Sequence, residues 1–101
     1  MKHAILIIIS MINLSIADGW TDSVNLDDFR IRFDTINKWL RLERGSQDFT
    51  YSYDNEYELS EAKVLASLLL SAKAQGLPVQ LYVRDSNPND GGPLAQVRVL
   101  F

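Results

Sequence analysis

The chain has 101 residues, no cysteine, a single histidine and a formal charge of −3. With no thiol, Cys nucleophiles, disulfides and Cys-ligated zinc sites are excluded. The acidic balance lacks the basic footprint that binds nucleic acid or an anionic membrane surface, so neither is expected as a partner.

Met1, Lys2 and His3 begin the chain with one fixed positive charge. Residues 4–16 are almost all apolar, interrupted only by Ser10, Asn13 and Ser15. Ser15 and Ala17 place small side chains at −3 and −1 of a cut before Asp18. This pattern predicts a secretory signal peptide over 1–17. The apolar run is shorter than the roughly 20 residues that a membrane-spanning helix needs. An N-terminal anchor or a buried strand over the apolar, largely β-branched residues 5–9 is the alternative. The expected product is one domain, 18–101, secreted or periplasmic in a bacterium, with no membrane insertion after cleavage. Loss of the leader removes His3 and Lys2, leaving nine basic residues against thirteen acidic ones, or −4. Ser-His catalytic arrangements and His-ligated metal sites leave with it. A pair of carboxylates remains for acid–base work. No spacing among the acidic residues singles out such a pair, so they read as surface charge. We expect no enzyme, no cofactor and no metal. A domain this small and without disulfides must rest on its core or on copies of itself.

Residues 28–34 alternate: Phe29, Ile31 and Phe33 face one way, Arg30 and Arg32 the other, as in a half-buried strand. This strand can begin as early as Trp20, with Asp27 and Asp28 marking a bulge or bend. Asp34-Thr35 is a turn signal. Residues 36–44 form a second, less regular strand with Ile36, Leu40 and Leu42 on one face, shared by Lys38 and opposed by Trp39. Gly45-Ser46 ends it. Phe49, Tyr51 and Tyr53 share a face of a third strand and read as core, completing an antiparallel meander. Ser60 is the expected N-cap of a helix over 62–75, on the order of 22 Å long. Its core stripe is Leu65, Leu69 and Ala72, flanked by Ala62, Leu68 and Ala66. Gly76 closes the helix and Pro78 follows. Residues 78–85 are a fourth strand, 86–93 a loop, and 94–101 a fifth strand with Val97, Val99 and Phe101 on one face.

The predicted class is mostly β with one helix (α+β), in the order β-β-β-α-β-β. This is the element order of a five-stranded OB-fold barrel. An open antiparallel sheet with the helix packed on one face is the alternative. The stretch 66–83, Ala-Ser-Leu-Leu-Leu-Ser-Ala-Lys-Ala-Gln-Gly-Leu-Pro-Val-Gln-Leu-Tyr-Val, resembles the helix-turn-strand of small secreted bacterial proteins similar to the B subunit of subtilase cytotoxin. The resemblance covers residues 60–101. It implies an exported OB-fold domain. In the toxin, five such copies form a ring that binds glycans and carries an enzymatic A subunit. Two departures stand out. The cysteine pair usual in these relatives is absent, and no match extends over their sugar-binding positions, so no binding residue is transferred.

Three sets of residues are site candidates. Residues 85–91, Asp-Ser-Asn-Pro-Asn-Asp-Gly, mimic the first, third and fifth ligands of a calcium loop. The sixth position is Asp90 where Gly is needed and the twelfth is Gln96 where Glu is needed, so a plain loop is expected. Aromatic side chains stack on sugars, and of the candidates Trp20, Phe49, Tyr51, Tyr53, Tyr57 and Tyr82, Trp20 and Tyr57 stand in polar surroundings. With Asn55 and Asp54 as planar polar partners, these four are the expected ligand-binding residues. Arg30, Arg32, Arg41 and Arg44 are expected to meet acidic residues across the sheet rather than an anionic ligand. The expected activity is a non-enzymatic binding or assembly module, homo-oligomeric and recognising glycans. The alternative is an interaction or inhibitor protein that acts by protein contact alone. A hydrolase using two carboxylates ranks third.

Overall fold

The computed structural model describes residues 19–85 and 87–101; the leader and Asp18 lie outside the described residues. In chain order run β1 (Gly19–Trp20), β2 (Arg30–Asp34), β3 (Trp39–Arg44), β4 (Gln47–Ser52), α1 (Glu56–Gln75), β5 (Val79–Val83) and β6 (Gly92–Val99). The class is α+β. The strands form one six-stranded sheet that is not closed, in the order β1-β5-β6-β4-β3-β2. Every neighbouring pair is antiparallel except β4 and β6, which are parallel.

This corrects the expected five-stranded barrel. The described residues form six strands, in the order β-β-β-β-α-β-β. The difference lies in the polar stretch between Thr21 and Phe29. Asn25 accepts a hydrogen bond from the Asp27 N–H at 3.0 Å and caps a 3-10 turn, Leu26–Asp28. That turn breaks one extended run into two. The first piece lies along β5: Gly19 faces Val83, Trp20 faces Tyr82, and Val24 bridges to Val79. Thr21 fixes it there, exchanging bonds with Leu81 through both its N–H (2.8 Å) and its Oγ1 (2.9 Å). The second piece, β2, pairs with β3. The open-sheet alternative is nearer: the sheet is not closed and the helix packs against it, but it is not wholly antiparallel, since β4 and β6 run parallel.

The second strand is shorter than expected. Residues 35–38 form the turn, built on Asp34, whose Oδ1 accepts from the N–H groups of Ile36 (2.9 Å) and Asn37 (2.8 Å). These bonds, led by Asn37, hold the Asp34 carboxyl below its ordinary range. Lys38 adopts a left-handed φ of 62°. Ile36 and Lys38 therefore leave the strand face, and β3 alternates properly, with Leu40 and Leu42 fully buried.

The helix is longer than expected. Asn55, not Ser60, is its N-cap, accepting from the Glu58 N–H at 2.8 Å. Glu58 reaches back to the Asp54 N–H at 3.0 Å, a variant of the capping box. Ser60 lies inside the first turns and donates its hydroxyl to the Glu56 carbonyl. The helix has 20 residues, about 30 Å. Its buried stripe is Ala62, Leu65, Ala66, Leu69 and Ala72, and three alanines let it lie close on the sheet. Leu68, expected to flank that stripe, is 39% exposed. Gly76 closes the helix with a left-handed φ of 68°.

The core lies between this stripe and the inner sheet face, where Leu40, Leu42, Phe49, Val79, Leu81 and Leu94 are buried. Of the expected aromatic core, Phe49 and Tyr53 are buried and Tyr51 is only partly so. Phe101 lies past the end of β6 and is fully exposed.

Candidate functional site

β4 and β6 pair over two residues only, Phe49 with Gly92 and Thr50 with Pro93. Beyond that point β4 turns away towards the helix cap. β6 continues along β5, with Ala95 inserted as a bulge between the Tyr82–Gln96 and Val83–Leu94 pairs. The diverging strands leave an open cleft of about 950 Å³, large for a small-ligand site. The first two turns of α1 form its third wall. Four aromatic side chains line it: Trp20 from β1, Tyr51 from β4, Tyr57 from α1 and Tyr82 from β5. Hydrogen-bonding residues share the lining, including Ser52 and Gln96, with Thr50 already accepting from Arg41 and Asn55 from the Glu58 N–H.

The four residues expected from the sequence are thus divided. Trp20, Tyr57 and Asn55 come together in the cleft. Asp54 does not; it borders smaller hollows on the far side of the helix start, beside Lys38 and Tyr53. Its backbone N–H serves the cap. Glu58, Glu61, Tyr51, Tyr82 and Arg84 complete the lining and were not among the expected site residues. The Asn-x-x-Glu spacing of 55 and 58 carries the signal for Glu58, because a cap fixes where the helix wall begins. Tyr82 stands opposite the buried Leu81 and Val83 in the β5 alternation, which marks it as facing out.

The rings differ in how much face they offer. Trp20 and Tyr82 meet edge-on with centroids 5.0 Å apart, and the Arg98 guanidinium covers Trp20 at 4.0 Å. Trp20 is thus a fixed wall. Tyr57 is 74% exposed and holds the most open ring. Tyr51 donates its hydroxyl to Glu61 Oε2 at 3.0 Å.

Burial first, then that bond to Glu61, pushes the Tyr51 phenol up from 10.0 to about 12. The folded chain therefore keeps the neutral phenol where an unfolded chain would ionise it. This contribution to stability is complete below about pH 10 and is lost as the pH rises from about 10 to about 12. Urea melts across that window should show the wild type losing more stability than Tyr51→Phe. Equal losses would uncouple Tyr51 from folding.

The other two candidate sets make contacts within the fold. In the 85–91 loop, Asp85 Oδ1 accepts from the Asn87 N–H at 3.0 Å, and Asn89 Oδ1 from the Asp22 N–H at 2.8 Å. The Asn89 carbonyl accepts from the Gln47 side chain. The loop thereby ties the segment after β1 to β4. Among the described residues no group of three or more Asp, Glu, His or Cys gathers as metal ligands. On the outer face of β2 and β3, Glu43 pairs with Arg32 (3.2 Å) and Arg41 (3.6 Å), and both guanidiniums flank Trp39. Arg44 bonds to Gln47 and lies over Phe29. Arg32 and Arg41 thus meet an acidic residue as expected, whereas Arg44 meets Gln47 instead and Arg30 is exposed, facing Glu43 in the strand register. No helix among the described residues is long and apolar enough to cross a membrane. The sequence matches no protein-family model, and a search of curated proteins gives no match.

Proposed function

We propose that this chain is an exported, non-enzymatic saccharide-binding module and that the cleft between β4, β6 and the start of α1 is its binding site. The observation that carries this reading is the convergence of four aromatic rings and several neutral hydrogen-bonding side chains on one open cleft. Rings that stack on the apolar faces of a sugar, with polar groups placed between them, are what saccharide recognition requires. An OB-type arrangement agrees with this. Counted as one strand interrupted at 21–29, β1 and β2 restore the order β-β-β-α-β-β. The parallel β4–β6 contact beside the antiparallel β5–β6 pair supports this reading. The purified protein is expected to bind a subset of glycans on an array. Tyr57→Ala should weaken binding at least about tenfold, which is about 1.4 kcal/mol. Trp20→Ala should weaken it less, because Arg98 and Tyr82 already occupy that ring. Absence of binding by the wild type would overturn the reading.

A second reading, contact with another protein, is favoured by one feature. Tyr57, Val64 and Leu68 form an exposed apolar row on α1. A hollow of about 340 Å³ lies beside Tyr57 and Val64 and shares Tyr57, Glu61, Ala95 and Gln96 with the cleft.

A further inference from the structure

The charges on the cleft indicate which saccharides it admits. Glu58 and Glu61 both line it, one helical turn apart, against one cation, Arg84, which is itself engaged within the chain. Glu58 is partly spent on the helix cap. Glu61 is exposed and uses Oε2 to accept from Tyr51; its Oε1 has no hydrogen-bond partner among the described residues. Tyr57 precedes Glu61 by four residues, so its open ring and that carboxylate lie side by side on the helix. A carboxylate beside an aromatic face attracts a cation through both charge and ring quadrupole. On the β1 side, the Arg98 guanidinium lies 4.0 Å over the Trp20 ring, a cation held on an aromatic face.

We propose that the cleft selects saccharides carrying a free, protonated amine, of the glucosamine type, over N-acetylated, neutral or acidic ones. Glu61 is the group that pairs with the amine, with the Tyr57 and Tyr51 rings beside it. N-acetylation removes the positive charge, and a sugar acid meets two carboxylates. The proposal rests on the saccharide-binding reading above.

Calorimetric titration of the purified protein at about pH 6, where an amine is protonated, tests it. The probes are a β-1,4-linked trimer of glucosamine and the fully N-acetylated trimer. The free-amine trimer is expected to bind at least about tenfold more tightly, with the preference shrinking as salt is raised. Glu61→Gln should bring the two trimers to similar affinities. An exposed, near-isosteric amide that still accepts from Tyr51 keeps the fold, which circular dichroism checks. Equal affinities in the wild type, or a preference that survives in Glu61→Gln, would overturn the proposal. So would a trilysine peptide that binds as well as the amino sugar, since the cleft would then read charge alone. If array glycans without amines bind and the free-amine trimer does not, the amine proposal fails and the saccharide reading stands. If no glycan binds at all, both fail.

Discussion

Phe49→Ala is expected to cost about 3–5 kcal/mol of folding free energy. Phe49 is fully buried, and its ring packs against Phe29 with centroids 6.0 Å apart. It sits on β4 where that strand meets β6, opposite Gly92. Removing the ring opens a cavity beneath the seam that carries the cleft. Small domains have little stability in reserve, so this loss is a large share of the total. Urea unfolding should show the midpoint falling steeply for Ala and much less for Phe49→Leu, which keeps most of the apolar volume. A cost under about 1 kcal/mol for Ala would mean that the seam is not closed over Phe49.

Gly91→Ala should be the most damaging glycine substitution. Gly91 has a φ of +110°, and a Cβ there would stand 2.5 Å from the Asp48 carbonyl oxygen and 3.2 Å from its nitrogen. The obstacle is backbone, so no side chain can swing aside. Backbone strain alone costs about 1–3 kcal/mol, and relief of the overlap requires β6 to move off β4. Gly45 is the control. Its φ is +59°, and a methyl group added there would meet nothing within 4 Å, so Gly45→Ala carries only the left-handed penalty of about 1–2 kcal/mol. Thermal melts should order the three proteins as wild type, Gly45→Ala, Gly91→Ala. Similar costs for the two variants would remove the close approach from the account. Because Gly91 leads into the two residues that pair β6 with β4, Gly91→Ala should also weaken binding at the cleft.

Much of this architecture is legible in residue patterns. The alternation of Phe29 to Phe33 and of Val79 to Val83 marks buried strand faces because side-chain direction has a period of two. The helix with Gly76 at its end is equally direct, since a left-handed terminus favours glycine. What escaped depends on competition between local signals. Ser60 and Asn55 are both good caps, and Asn55 prevails because Glu58 supplies the return bond. The ambiguous face of Ile36 and Lys38 disappears once Asp34 is seen to hold a four-residue turn. Trp20, Asn55 and Tyr57 were identifiable as aromatic or planar polar residues in polar stretches. Their meeting with Tyr51 and Tyr82 was not, because it depends on the parallel β4–β6 contact, which no local periodicity encodes.

The separation of β1 from β2 to opposite edges of the sheet has a kinetic consequence. The meander β2–β3–β4 and the pair β5–β6 join segments close in sequence, whereas Thr21 and Leu81 are bonded across 60 positions. Ordering of the first segment therefore waits on the longest loop closure in the domain. On the ribosome β1 emerges first and is left without its partner until β5 has been made. The first strand to be made thus waits for one of the last, and the Trp20 wall of the cleft forms with it.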